Sequence, residues 1–277
     1  MKKIKSIKTV QTDIDGTSFT SEYLEYNNEN ELTLSIKYDA EGNVIEKNVN
    51  VFDNGKKVNE KNYTSEEELA EEHDFEYDDE GKLIKEKIKY AEGYEAVRKF
   101  IRDNDRRELR IEELDEDGKL EEHTVQKYDE KNRLIEKAAY DYLGKLETAV
   151  SLHYDDHGQV LVQEEYEKKM KKPVRIREYT YTESGEIKTM LVKNRKGKII
   201  DSYVLKYDNE GRLLEQRSVQ SGAIAREYED GLLKTEVLTD AAGNIQTKTD
   251  YDYDEHGNII SESNEMIRKD HDIQYHD

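Results

Sequence analysis

A turn-like segment that begins with tyrosine and aspartate and ends with glycine recurs along this chain. The six clearest copies are Tyr38 to Gly42, Tyr77 to Gly81, Tyr128 to Asn132, Tyr154 to Gly158, Tyr207 to Gly211 and Tyr253 to Gly257. With the variant segment Tyr181 to Gly185 included, successive final residues lie 158 − 132 = 26, 185 − 158 = 27 and 211 − 185 = 26 positions apart. A fixed period of this length is typical of repeat architectures, so it constrains the fold more than any other feature.

A weaker turn divides each repeat. Gly144, Gly197 and Gly243 each fall 12 residues after one major turn and 14 before the next. Removing a turn of four or five residues leaves about eight or nine residues, the length of a strand. Each 26-residue repeat is therefore predicted to be one β-hairpin.

The residues between turns alternate as strands do. Leu32, Leu34 and Ile36 are separated by single polar residues, and period two places such a set on one face of a pleated strand. At the turns, Asp bonds its own backbone two residues on, and Gly takes the positive φ that closes the loop.

The predicted fold is therefore all-β, an antiparallel array of about 20 strands forming an elongated, twisted, curled sheet that is partly single-layered. Residues 1–265 are predicted to form this domain, and 266–277 a C-terminal cap or tail. A Ser65/Glu68 capping-box spacing indicates a possible helical insertion at 64–74. Residues 94–103 fit an amphipathic helix and a strand equally well.

The pattern Tyr-Asp-x-x-Gly-x-Leu/Ile, clearest from Tyr77 to Leu83 and from Tyr207 to Leu213, resembles the tyrosine-aspartate repeat, also called the YD or Rhs repeat, of bacterial polymorphic toxins. The resemblance covers about two thirds of the chain. It implies a β-sheet that, in long arrays, spirals into a shell around a toxin cargo. A short free-standing member of cytoplasmic type is the form that this chain resembles.

Charge and composition exclude several functions. The chain has 44 basic and 65 acidic residues, a net charge of −21, which opposes binding to nucleic acids and to anionic membrane surfaces. Cysteine is absent, which removes disulfides and thiolate chemistry. The basic start of the chain lacks a following apolar segment, so we expect a soluble cytoplasmic protein.

Short strings of polar residues resemble a phosphatase motif and calcium-binding loops, but they lack the features that these sites require. Asp13-Ile-Asp-Gly-Thr17 resembles the first motif of haloacid-dehalogenase phosphatases, in which the first Asp is the nucleophile, but a turn in the first repeat explains Asp15 and Gly16 as well. Asp78 and Asp115 begin acidic turns that lack the ligand spacing of an EF-hand calcium loop. We therefore predict no catalytic residues, no metal ligands and no cofactor.

The tyrosines permit two interpretations. Those of the six repeats are predicted to form a structural ladder beside the turns, whereas Tyr166, Tyr179 and Tyr203 are possible anchors for a partner. We therefore expect a non-catalytic protein-binding protein, immunity- or antitoxin-like, with a basic protein such as a toxin as its partner. The alternatives are a structural shell or assembly component of an Rhs-type system and the phosphatase based on Asp13 and Asp15. The oligomeric state stays open.

Overall fold

A computed structural model describes residues 2–64, 68–168 and 171–276. The described residues form 22 β-strands. The first eleven are β1 Ile4–Asp13, β2 Ser18–Tyr26, β3 Leu32–Tyr38, β4 Val44–Asp53, β5 Lys56–Tyr63, β6 Leu69–Tyr77, β7 Leu83–Tyr90, β8 Glu95–Asp103, β9 Glu108–Leu114, β10 Leu120–Tyr128 and β11 Leu134–Asp141. The others are β12 Leu146–Tyr154, β13 Val160–Glu167, β14 Arg175–Tyr181, β15 Ile187–Asn194, β16 Ile199–Tyr207, β17 Leu213–Ser218, β18 Gly222–Glu229, β19 Leu232–Thr239, β20 Ile245–Tyr253, β21 Ile259–Ser263 and β22 Ile267–Tyr275.

The all-β prediction is confirmed, and the strands belong to a single sheet of antiparallel hairpins. The predicted open form of that sheet, elongated, curled and partly single-layered, is wrong. Strand β1 pairs with β2 on one side and with β22 on the other, so that Ile7 lies opposite both Leu24 and Ile273. The sheet is therefore closed, and its first and last strands satisfy each other's backbone groups.

The chain divides into two compact units. The first unit comprises Met1–Ala96, Glu227–Glu236 and Thr247–Asp277, and the second comprises Val97–Arg226 and Val237–Gln246. Strands β1 to β7, β21 and β22 belong wholly to the first unit, and β9 to β17 wholly to the second. Each unit is described by itself below.

The structure has strands in three segments for which the sequence suggested other possibilities. Residues 69–74, part of the possible helix at 64–74, begin strand β6, while 65–67 lie outside the described residues. Residues 95–103 form strand β8, so the strand alternative for 94–103 is the correct one. Within the segment 266–277, which was predicted to be a cap or tail, Ile267–Tyr275 forms strand β22 and pairs with β1. In each case partners on neighbouring strands decide the backbone conformation over local propensity.

The major turns repeat one arrangement. In the turn after β16, the Asp208 amide donates to the Arg212 carbonyl, and Asp208 Oδ1 accepts the Arg212 amide at 2.9 Å. Gly211 adopts φ +79° there, and Asn132 takes the same role with φ +60° in its own turn, as asparagine does more readily than most residues. The hydrogen bonds that hold these turns are therefore local in sequence.

The described residues bury few large side chains. Ile88 in the first unit and Leu114, Ala138 and Val192 in the second are the buried hydrophobic residues among them. Most strand residues are half-buried. The backbone ladders and the cross-strand side-chain pairs are consequently the main source of order.

Candidate interaction face

Two of the three proposed anchor tyrosines lie on the same face of the sheet, on either side of Met190. Tyr179 on β14 is directly opposite Met190 on β15, and Met190 is directly opposite Tyr203 on β16. Residues directly opposite each other share a face of the sheet, so these three side chains form a continuous row, here called the aromatic row. All three are half-buried, which leaves part of each ring and of the thioether accessible to a partner.

The third tyrosine, Tyr166, points to the opposite face. On β13, Tyr166 shares a face with Val162, because strand residues alternate with period two. Val162 lies directly opposite Glu178 on β14, and Glu178 points to the face opposite that of its neighbour Tyr179. On its other side, Tyr166 pairs with Ala149. The hydroxyl of Tyr166 donates to Glu164 Oε2 at 2.8 Å. Burial and this bond to a carboxylate raise the pKa of Tyr166 to about 12. Tyr166 is therefore not placed to act together with Tyr179 and Tyr203.

Polar neighbours fix one end of the aromatic row. Two residues before Tyr203, the carboxylate of Asp201 accepts the Ser218 hydroxyl at 2.9 Å. Burial alone would raise the pKa of Asp201, but hydrogen bonds from Tyr203, Ser218 and nearby backbone amides outweigh it and hold that pKa below its usual value. Asp201 consequently stays ionised beside Tyr203 at this end of the aromatic row.

Three acidic side chains line up elsewhere on the second unit. Glu122 on β10 lies directly opposite Glu113 on β9 and Asp141 on β11. Arg98 balances Glu113 through a contact of 2.7 Å, whereas Glu122 is exposed and has no ion-pair partner among the described residues. Like charges directly opposite each other destabilise a sheet, so this acidic row, Glu113, Glu122 and Asp141, carries a cost in stability.

Both rows occupy the same face of the second unit. Glu122 and Gln126 share a face of β10, and Arg177 and Tyr179 share a face of β14, because strand residues alternate with period two. The strand pairing connects these two sets of residues. Gln126 lies opposite Lys137, Lys137 opposite Val150, and Val150 opposite Glu165. Gln163 shares the face of Glu165 and lies opposite Arg177. We call this side of the second unit the interaction face.

Reasoning from the sequence found the tyrosines but missed Met190 and the acidic row. Met190 lies in the short apolar run from Met190 to Val192, which is consistent with a strand and carries no functional signal. The opposition of Glu122 to Glu113 appears only once the strand register is known. The signal available in the sequence was the density of acidic residues from Glu112 to Glu122.

The repeat tyrosines form bonds across neighbouring strands. Four of the predicted six, and Tyr181 of a variant repeat, donate the hydroxyl to a backbone carbonyl 20 or 21 residues earlier: Tyr77 to Lys57, Tyr154 to Leu134, Tyr181 to Val160, Tyr207 to Ile187 and Tyr253 to Leu233, at 2.6 to 2.9 Å. Tyr128 instead donates to Gln126 Oε1 at 2.7 Å. Tyr38 differs from both and is considered below.

The final residues of the six major repeats, five glycines and one asparagine, all have positive φ. The values are +86° at Gly42, +80° at Gly81, +90° at Gly158, +79° at Gly211 and +82° at Gly257, with Asn132 at +60°. This is the left-handed region in which glycine costs least. These residues are therefore placed to close the turns.

The candidate phosphatase residues lie in the first hairpin turn. Asp13 ends β1, and its side chain accepts a bond from Gln11 Nε2 at 2.7 Å. Asp15 Oδ1 accepts the Thr17 amide at 2.9 Å, and this backbone bond lowers the pKa of Asp15. Ile14 between them is 79% exposed. Both carboxylates are thus engaged in local bonds of an exposed turn.

The candidate calcium turns are held by their own backbone. Asp78 Oδ1 accepts the Lys82 amide, and Asp115 Oδ1 accepts the Lys119 amide, both at 2.8 Å. Within residues 2–64, 68–168 and 171–276, no three His, Asp or Glu side chains are placed to hold a metal ion. In the same residues, no helix is long and apolar enough to cross a membrane.

No protein-family model and no curated protein matches this chain. Among solved structures it is similar to TcdB2-TccC3, both with Cdc42 and without the hypervariable C-terminal region; each has a TM-score of 0.45 and 15% identity, with 94% of this chain covered. The chain spans 15% of the length of those proteins. It is also similar to a porin-like protein from Bacteroides uniformis ATCC 8492, with a TM-score of 0.35, 10% identity and 98% of both chains covered. Likeness at this level carries no argument about function.

Proposed function

We propose that this chain is a non-catalytic protein-binding protein that holds a basic partner against its interaction face. The observation that carries the proposal is the acidic row, in which Glu122 stands between two further carboxylates without a cation of its own. In the free protein these carboxylates repel one another. A basic surface bound over them would neutralise that repulsion and so gain electrostatic stabilisation.

The aromatic row supplies what charge alone does not. Electrostatic complementarity contributes mainly to the rate and specificity of association, whereas tyrosine and methionine are enriched where interfaces become desolvated. Tyr179, Met190 and Tyr203 offer such a surface on the same face as the acidic row. The net charge of −21 extends the same preference over the whole chain.

The specific form of the proposal is an immunity- or antitoxin-like factor that covers a basic toxin, built from repeats of the tyrosine-aspartate type. The motif from Tyr77 to Leu83 supports the repeat assignment through its residues. The alternative of a shell or assembly component requires strands with free edges. Because β1 and β22 pair with each other, we favour the binding role.

The test uses basic proteins encoded beside the gene for this chain. Each is immobilised, and binding of the full chain is measured by biolayer interferometry at 50 and 500 mM NaCl. We expect association to slow strongly at the higher salt concentration. Tyr203→Ala should weaken binding by about 30-fold or more if Tyr203 is an interface hot spot, and Glu122→Lys should weaken it further through repulsion.

Tyr166→Ala is the matched control, because Tyr166 lies on the other face of the same unit. It should leave the affinity unchanged. Equal losses for Tyr166→Ala and Tyr203→Ala, affinity independent of salt, or no binding to any of these proteins would each contradict the proposal.

A further inference from the structure

A cleft in the first unit is independent of the interaction face. It has a volume of about 650 Å³ and is lined by Lys8, Phe19, Thr20, Tyr23, Tyr38 and the turn residues 40–42. Sites for small molecules typically have volumes of roughly 300–1,000 Å³ and apolar walls with a few polar groups. Three aromatic residues give this cleft apolar walls, and Lys8, Thr20 and Glu41 are its polar side chains besides the tyrosine hydroxyls.

Tyr38 is an exception to the tyrosine ladder. Its counterparts Tyr77, Tyr154, Tyr207 and Tyr253 donate to carbonyls 20 residues earlier. In the described part of the chain, the Tyr38 hydroxyl has no hydrogen-bond partner. The strand that would supply an acceptor is β2, and its pairing with β1 is shifted between Thr9 and Val10. The Tyr38 hydroxyl is thus left available beside the cleft.

Lys8 is the basic residue in the lining of the cleft. It lies on β1 directly opposite Tyr23 on one side and Asp272 on the other. Lys8 is exposed and forms no ion pair within the described residues, Asp272 included. Lys8 and Tyr38 therefore bring two kinds of hydrogen-bond donor to one cleft.

Tyr23 orients the aromatic wall. Its hydroxyl donates to Glu25 Oε1 at 2.7 Å. This bond, together with burial, raises the pKa of Tyr23, which keeps the ring neutral. The hydroxyl bond to Glu25 therefore holds the Tyr23 side chain in place in the lining of the cleft.

We propose that this cleft binds a small aromatic carboxylate. The carboxylate accepts from the Lys8 ammonium and the Tyr38 hydroxyl, as charge-assisted bonds favour. The aromatic body of the ligand packs against Phe19, Tyr23 and Tyr38 in stacked or edge-to-face contacts. A cationic ligand cannot accept from Lys8 and Tyr38, and a purely aliphatic acid loses the ring contacts.

The proposal is tested by isothermal titration calorimetry of the full chain with 1-naphthylacetate. 1-Naphthylmethylamine reverses the charge of the probe, and cyclohexylacetate keeps the charge but removes the aromatic ring. We expect 1-naphthylacetate to bind most tightly. Lys8→Gln should weaken its binding by about tenfold or more, and Tyr38→Phe by about three- to tenfold, since both remove donors to a charged group.

Two variants serve as controls. Tyr77→Phe removes a hydroxyl that bonds to a carbonyl, so it should lower stability and leave 1-naphthylacetate binding unchanged. Lys5→Gln removes an exposed charge from the same strand outside the lining of the cleft and should also leave binding unchanged. Circular dichroism confirms that each variant keeps its strands.

Three results would overturn the proposal. They are no binding of 1-naphthylacetate at millimolar concentration, equal or tighter binding of the amine, and unchanged affinity in both Lys8→Gln and Tyr38→Phe. Because the cleft and the interaction face share no residue, none of these results bears on the proposed binding of a basic protein.

Discussion

The hydroxyl of Tyr154 donates a hydrogen bond of 2.6 Å to the carbonyl oxygen of Leu134, 20 residues earlier in the chain. The bond reaches from the end of β12 to the start of the neighbouring strand β11. The same relationship recurs from Tyr207 to Ile187. A side chain at one turn thereby ties down the beginning of the preceding strand.

Removing one of these hydroxyls should therefore destabilise the sheet. We expect Tyr154→Phe to lower the free energy of unfolding by about 1 kcal/mol, the usual net contribution of a protein hydrogen bond. Urea unfolding followed by circular dichroism measures the change. Tyr142→Phe is the control, because Tyr142 is 65% exposed at a turn. An equal loss in both variants would mean that the bond to Leu134 contributes nothing.

Gly222 is predicted to be the least replaceable glycine in the second unit. A Cβ atom there would lie 1.9 Å from the Thr239 carbonyl oxygen, and φ is +96°. Gly144 has φ +72° but open space around its Cβ position. We expect Gly144→Ala to cost about 1–3 kcal/mol from backbone strain and Gly222→Ala clearly more, measured as melting temperatures. Similar melting temperatures for the two variants would contradict the close approach.

His123 should make stability depend on pH. It is 8% exposed, stacks on Tyr140 with ring centroids 4.9 Å apart, and its Nδ1 atom has no partner among the described residues. Burial, with repulsion from Arg110, lowers the pKa of His123 below 6.5, although Glu112 and Asp141 oppose this shift. The unfolded chain therefore binds a proton at His123 more readily than the folded protein does. The contribution of neutral His123 to the stability of the fold is complete above pH 6.5 and is lost as pH falls through the lowered pKa of His123.

Unfolding free energies measured from pH 7 to pH 5 should therefore decline less steeply in His123→Phe than in the parent protein. Phenylalanine keeps the ring stacking and cannot be protonated. His153→Gln is the control, since the His153 side chain is 60% exposed. An unchanged slope in His123→Phe would assign the pH dependence to other groups.

Relieving the acidic row should stabilise the free protein. Glu122→Gln removes the repulsion of Glu122 by Glu113 and Asp141, and we expect a gain of about 0.2–1 kcal/mol at low salt. The gain should shrink in 1 M NaCl, where screening is strong. Glu121→Gln, at an exposed position beside the row, should show no such gain. A loss of stability in Glu122→Gln would remove the electrostatic basis of the proposed function.

The hairpins could be predicted from the sequence because their causes are local. Alternation from Leu32 to Tyr38 and the turn from Asp39 to Gly42 lie within a dozen residues. Closure could not be predicted, since Val10 and Asp270 meet across the whole chain and Ile267–Tyr275 lacks the repeat motif. The Ser65/Glu68 spacing favoured a helix, but cross-strand partners such as Glu60 for His73 decided the structure.

The candidate site was predicted only in part, for a reason of register. Tyr179 and Tyr203 could be singled out because they are tyrosines. The pairing register between strands shifts by a residue at many places, such as between Lys206 and Tyr207, and each such shift changes whether odd- or even-numbered residues of the next strand lie on a given face. Counting along the chain therefore does not reveal which residues share a face. The grouping of Tyr179 with Met190, and the separation of Tyr166 from both, required the observed pairing.

The pairing of β1 with β22 has a consequence for biosynthesis. While the chain emerges from the ribosome, β1 can pair with β2 early, but the backbone donors and acceptors on its other edge stay exposed until β22 has been synthesised. The nascent protein is thus exposed to misassociation at this edge until β22 is released, and a chaperone that shields β1 would act in that interval.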